Sequence, residues 1–243
     1  MVEAELRSSS TRRLNWRAAL DVIATIVMVI AAGVVIWTAL AKQDAAAAAR
    51  PPLPVPTEPL ALDSVPTLGS QRARVAMLIF SDFECPFCAR LAVEVMPVLK
   101  REYADTGKAR FAFRHLPLPA HSRATRAAES AECARRQGRF WAMHDSLFEP
   151  PMRLGEPELA THARKAGLDL GEFDRCMTGA AASHVAADLS IAQDLGLMVT
   201  PTVIIGVVGE DGTVQALEVI TGARPAKEFR SALDRALARV GEL

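Results

Sequence analysis

Cys85 and Cys88 stand two residues apart in the stretch Phe80-Ser81-Asp82-Phe83-Glu84-Cys85-Pro86-Phe87-Cys88. Thiols at this spacing can close and reopen a small disulfide, or supply half of a metal site. The flanking residues choose between these chemistries. An apolar run, Val75 to Phe80, leads into the motif. Pro86 occupies what should be the first turn of a helix, where its fixed φ and missing N–H are tolerated. Apolar residues then recur at Cys88, Leu91, Ala92, Val95 and Leu99, which is helical spacing. This reads as strand, short turn, helix, with Cys85 at the helix N-terminus. Free backbone N–H groups and the helix dipole favour a thiolate there. A structural zinc site would need two more ligands at suitable spacing; no second Cys-x-x-Cys exists and the five histidines are scattered. A plain structural disulfide is the other reading, and the strand–turn–helix setting argues against it. The stretch is built for thiol–disulfide exchange, with no metal and no cofactor expected.

The elements that must position the two thiols follow in order. Arg74 to Phe83 reads as a buried strand, and Pro86 to about Tyr103 as the helix, with Pro97 expected to kink it. Ala109 to His115 is a second strand. A Pro-marked turn, Leu116-Pro117-Leu118-Pro119, leads to a helical block at about residues 120–195, punctuated by Gly138, Pro150, Gly155, Gly167, Gly171 and Gly179. Strand character returns at Thr202 to Val208. Gly209-Glu210-Asp211-Gly212 turns the chain into Thr213 to Thr221, a hairpin. Pro225 to Val240 closes as a helix with Phe229, Leu233, Ala236, Leu237 and Val240 on one stripe. The expected fold class is α/β: β–α–β, an inserted helical block, then β–β–α.

Of the 243 residues, Lys+Arg and Asp+Glu balance at 28 each, so no nucleic-acid partner is indicated. Val22 to Leu40 carries no charge and, at 1.5 Å per residue, spans about 28 Å, close to the hydrocarbon core of a bilayer. Arg7, Arg12, Arg13 and Arg17 precede it and Lys42 alone follows closely; Trp16 and Trp37 lie near its ends. The positive-inside rule then puts residues 1–21 in the cytoplasm, 22–40 in the inner membrane as a single-pass signal anchor, and the rest in the periplasm. Cleavage at Ala39-Leu40-Ala41 is the rival reading, but the apolar stretch exceeds the usual signal-peptide length. Residues 41–67, rich in Ala and then Pro, read as an extended linker of up to about 60 Å. The globular domain is expected at 68–243.

At this point the residues carry a resemblance. Phe83-Glu84-Cys85-Pro86-Phe87-Cys88, the stretch Gln137-Gly138-Arg139-Phe140-Trp141-Ala142-Met143-His144-Asp145 in the helical block, and Val199-Thr200-Pro201-Thr202 together resemble the DsbA family of thiol–disulfide oxidoreductases, which have a thioredoxin fold. The resemblance covers roughly Leu68 to Val240. It implies that Cys85 is the nucleophile and Cys88 the buried resolving cysteine. It implies that Pro201 is a cis-proline opposite them, and that Thr200 offers its backbone to a substrate peptide. Ile79 stands where thioredoxin-fold enzymes often keep a buried acid; Asp82 and Glu84 read first as loop-surface charges, with Asp82, Glu84 or water the alternatives for handling the proton of Cys88. Phe87 brings no charge between the cysteines. Pro86, Phe87 and Glu84 are therefore the residues expected to modulate the thiols, with Glu84 opposing a thiolate if close to it. The five histidines read as packing or surface residues.

Two further thiols remain. In an oxidising compartment Cys133 and Cys176 are expected to pair and staple the helical block; two buried free thiols are the alternative. The partners expected are protein thiols or disulfides, a redox partner that the sequence does not identify, and the membrane through the N-terminal helix. The functional expectation is extracytoplasmic exchange in the direction of disulfide formation. Its alternatives are a reductase or isomerase, or a tethered peptide-binding or metal-delivery module.

Overall fold

The computed structural model describes residues 16–48 and 53–241, in two units divided at residues 51 and 52. The first is a single helix, α1 (Trp16–Ala48). Its segment Leu20–Thr38 has a mean hydropathy of 2.5 and is fully exposed, long and apolar enough to cross a membrane. The helix continues past Leu40 because alanine, the strongest helix former, fills positions 45–48. The expected linker is thus helical where it begins. Arg7, Arg12 and Arg13 lie outside the described residues, as do the side chains of Trp16, Arg17 and Lys42.

The second unit is built on five strands: β1 (Thr67–Leu68), β2 (Val75–Ser81), β3 (Arg110–His115), β4 (Thr202–Val208) and β5 (Val214–Thr221). Their order in the sheet is β1-β3-β2-β4-β5, with β2 and β3 parallel and the other pairs antiparallel. Every residue of β2 is buried, because both faces of the sheet are covered. Side chains alternate between faces along a strand. Val75, Met77 and Ile79 pack on one face with Leu91, Val95, Leu99, Phe229 and Leu233. Ala76, Leu78 and Phe80 pack on the other with Leu60, Leu62, Ala192 and Leu197.

The second face overturns the linker reading. Leu53 packs against it, Leu60 and Leu62 are buried in it, and Leu60 exchanges both backbone hydrogen bonds with Val214 on β5. Thr67 and Leu68 then pair with Phe111 and Ala112 on β3. The domain therefore starts by Leu53, not Leu68, and residues 53–68 form a strap across the sheet. Proline stiffness and burial are compatible: an extended chain needs few hydrogen bonds of its own, and leucines spaced along it remove apolar surface from water. A buried ion pair locks the strap. Arg114 on β3 bonds Asp188 at 2.6 Å and donates to Ala61 O at 2.6 Å.

The helix after β2 runs as α2 (Pro86–Arg90) and α3 (Met96–Leu99), with wider π-type turns at Leu91–Val95 and Lys100–Ala104. The first wide turn falls just ahead of Pro97. Pro97 has no N–H for the i→i−4 ladder, and Met96 N donates to Leu91 O, an i→i−5 bond, instead. The helical block comprises α4 (Ala124–Arg136), α5 (Phe140–Leu147), α6 (Glu156–Lys165), α7 (Leu170–Met177) and α8 (Ala182–Asp194); α9 (Ala226–Gly241) closes the chain. The hairpin β4–β5 shifts register between Ile205 and Gly206. A Cβ at Gly206 would meet Gln215 O at 2.2 Å, so only glycine lets β5 approach there.

Candidate active site

The loop between β2 and α2 is fixed from beneath by Phe83. Its ring stacks on Phe113 at 5.5 Å and packs on Phe148 at 4.8 Å and His144 at 6.0 Å, so one aromatic side chain moors the loop to the sheet and to α5. Asp82 fixes it from within. One carboxylate oxygen accepts from Glu84 N at 2.7 Å; the other accepts from Leu118 N at 2.8 Å and lies 2.7 Å from His121 Nδ1. Asp82 is buried, which corrects the expectation of a loop-surface charge. A buried carboxylate persists only where donors surround it, and here the folded loop supplies them.

Cys85 occupies the N-cap of α2 in extended conformation, with Pro86 in the first turn. Its pKa falls from the ordinary 9.0 to about 6. The largest cause is a hydrogen bond from the Cys88 thiol, opposed by burial. Thr200 and the N–H groups of Cys88 and Phe87 add to the lowering. Cys88 lies one turn inward and 1% exposed. Burial first, then the hydrogen bond and charge of Cys85, push its pKa well above the ordinary value, while Asp82 N donates to its sulfur at 3.4 Å. The two thiols are reduced in this structure. One is therefore a ready nucleophile near neutral pH and the other a protonated reserve.

Thr200 and Pro201 come to the same place from the far end of the chain. The Thr200–Pro201 bond is cis, and Cys85 Sγ lies 3.6 Å from Thr200 O. The turn is held by Thr202 Oγ1 donating to Val199 O, and by Gly222 N donating to Pro201 O. Two apolar side chains close to these residues in sequence are exposed, Phe87 at 55% and Met198 at 77%. Pro86 is exposed and Glu84 half-buried, its carboxylate accepting from Arg123 N at 2.6 Å. Cys133 and Cys176 are not part of this cluster. They form a disulfide that joins α4 to α7, with Cα atoms 5.7 Å apart. Among the described residues no group of three or more His, Cys, Asp or Glu could hold a metal ion.

Sequence reasoning missed the pair Asp82–His121 beside the nucleophile. The signal was weak, because 39 residues separate them. His115, expected as a packing residue, is one: its buried ring lies against Phe83 and Phe113 and bonds Glu132 at 3.1 Å.

With a pKa of about 6, Cys85 is about nine-tenths thiolate at pH 7, against about one-hundredth for a thiol of pKa 9. Alkylation of the reduced protein should therefore rise as pH increases through 6 and level off above it, with Cys85 modified and Cys88 spared in peptide mass analysis. A midpoint near 9, or preferential labelling of Cys88, would reverse the assignment.

Comparison with known proteins places these features in context. A family model described as Thioredoxin matches residues 63–234. Among solved structures, alpha-DsbA1 of Wolbachia pipientis superposes with a TM-score of 0.65 at 23% identity, covering 74% of this chain and 94% of that one, a likeness of fold. A thioredoxin-like oxidoreductase from Silicibacter pomeroyi does so with a TM-score of 0.58 at 29% identity, over 72% of this chain and 92% of that one. The Na(+)/H(+) antiporter NhaA 3 of Salinispora tropica is 34% identical over 152 residues, 62% of this chain. This chain spans only 22% of that antiporter's length.

Proposed function

The chain belongs to the thioredoxin family, and from that premise we propose that it is a DsbA-like protein thiol–disulfide oxidoreductase that forms disulfides outside the cytoplasm. The observation that carries the reading is the split between the two thiols. Cys85 is held as a thiolate beside Thr200 and cis-Pro201, and Cys88 is held protonated beneath it.

The exchange runs in two displacements. A substrate thiolate attacks Cys85 Sγ of the disulfide form; the Cys85–Cys88 bond breaks, and Cys88 leaves with the electron pair and takes up a proton. A second substrate thiolate then attacks the substrate sulfur of the mixed disulfide, and Cys85 leaves as thiolate. The substrate is oxidised by two electrons and the domain reduced by two. A low leaving-group pKa speeds the second step, and Cys85 supplies it. Stabilising the Cys85 thiolate also stabilises the reduced state, which makes the disulfide state the stronger oxidant. That is what favours the oxidising direction. Thr200 O and the exposed Phe87 and Met198 are the surface on which a substrate peptide would lie. Turnover requires a separate redox partner that removes the two electrons.

The direction is tested by equilibrating the full chain with glutathione. A reduction potential well above about −270 mV, in the oxidising range of about −180 to −120 mV, is expected; one at about −270 mV would make it a reductase. The same preparation should oxidise a reduced, unfolded two-cysteine polypeptide stoichiometrically.

The apolar helix α1 supports a location at the membrane. We read residues 20–38 as a retained anchor with the thioredoxin domain outside, and residues 53–243 as that domain. Fractionation of cells should recover the protein intact with membranes, and external protease should reach the domain. Recovery of only a soluble form beginning after Ala41 would sink the anchor.

A further inference from the structure

The turn after β3 docks on the loop that carries the nucleophile. Three contacts make the joint: Leu118 N donates to Asp82 Oδ2 at 2.8 Å, His121 Nδ1 lies 2.7 Å from the same oxygen, and Arg123 N donates to Glu84 Oε2 at 2.6 Å. Asp82 also holds both cysteines through its backbone, Cys88 at the sulfur and Cys85 at its amide. Its N donates to Cys88 Sγ at 3.4 Å, and its carbonyl accepts from Cys85 N at 3.2 Å. Asp82 and Glu84 thus put two carboxylates within three residues of a thiolate, and Phe87 brings no cation between the cysteines. The electrostatics of the loop call for a positive charge from elsewhere. His121 is at hand: its side chain is 24% exposed, so it can exchange protons with water, while the oxygen it meets is buried.

We propose that His121 is a positioning residue for the exchange reaction: as an imidazolium held by Asp82, it offsets the two acids and adds, from outside the Cys-x-x-Cys, to the hydrogen bonds that favour the Cys85 thiolate. The charged and titratable groups that face it are Asp82, Glu84 and Cys85. Its pKa lies above the ordinary imidazole value, first because of the hydrogen bond to Asp82, against partial burial, and further because of the charges of Asp82, Cys85 and Glu84. The coupling is reciprocal. Whatever His121⁺ does to the Cys85 thiolate, the thiolate does to His121. Oxidation to the disulfide removes the thiolate, so His121 must titrate at lower pH in the oxidised protein.

The test begins with the unaltered full chain in detergent. The His121 ring is titrated by NMR in the reduced and in the disulfide form. A midpoint higher in the reduced form by roughly half to one unit is expected. Equal midpoints would overturn the proposal. Thiolate ultraviolet absorbance against pH is then followed in two variants. His121→Gln should raise the Cys85 midpoint by roughly the same amount. His121→Lys, which restores a cation, should hold it near that of the unaltered protein. At pH 7, a rise of one unit from about 6 would make the reduced form about fivefold less favoured against glutathione. No shift in His121→Gln, or equal shifts in both variants, would reduce His121 to a packing residue. The effect on the potential rests on the exchange reading, but the two midpoints do not. If Cys85 of the unaltered protein titrates near 9, it is the exchange reading that fails.

Discussion

Cys85→Ser should reduce disulfide exchange to the uncatalysed background, while Cys88→Ser should leave a protein that captures its substrates and releases them slowly. The asymmetry follows from the geometry. Cys85 alone stands at the helix N-terminus against Thr200, with a pKa of about 6. Cys88 is buried with its pKa pushed up, so it cannot serve as the first nucleophile when Cys85 is gone. In Cys88→Ser the Cys85 thiolate still attacks a substrate disulfide and forms the mixed disulfide. The resolving thiol of the protein is then missing, and the adduct persists until a substrate thiol reverses it. Non-reducing electrophoresis of cells producing this variant should show adducts of higher mass that reductant dissolves, absent from Cys85→Ser. Adducts on Cys85→Ser, or equal activity in both variants, would exchange the roles of the two cysteines.

The second large effect concerns stability. The Cys133–Cys176 disulfide closes a loop with a sequence separation of 43. In the chain-entropy model its removal frees about 4 kcal/mol of unfolded-state entropy. Cys133 is 1% exposed among Ala127, Ala131, Phe140 and Phe173, so truncating the side chains also leaves small voids. Cys133→Ala with Cys176→Ala should therefore lower unfolding free energy by about 4 kcal/mol. The urea midpoint should be measured in a Cys85→Ser, Cys88→Ser background, so that the active-site redox state does not contribute. A loss below about 1 kcal/mol would mean that the helical block is held by packing alone.

How far these results were visible beforehand differs by residue. The order of strands and helices was readable because each element carries its own period. Val75 to Phe80 is continuous and apolar, as a strand covered on both faces must be, and Phe229, Leu233 and Ala236 repeat with the helix. Cys85 and Cys88 were readable because the thiol chemistry is local to one turn. What could not be read was docking between segments distant in sequence. Nothing in Pro54-Val55-Pro56 distinguishes a spacer from a strap; the difference lies in a sheet face elsewhere that lacked a cover, which Leu60 and Leu62 supply. Asp82 looked like a loop charge for the same reason. Its donors are Leu118, His121 and its own loop, and an acid reveals no partners until the chain has folded.

The strap has one more consequence, for colloidal behaviour. A protein that handles unfolded, thiol-bearing chains meets polypeptides ready to add as an extra strand to any open sheet. On one side of this sheet Thr67 and Leu68 occupy the free edge of β3, and Phe113 N is taken by Pro66 O. On the other, Leu60 seals β5 at Val214, the irregular register at Gly206 distorts the hairpin, and Glu218 carries an ion pair with Arg235. Pairing guards one margin; a bulge and charge guard the other. On the proposed reading, clients are thereby steered away from backbone annealing and toward the sulfur.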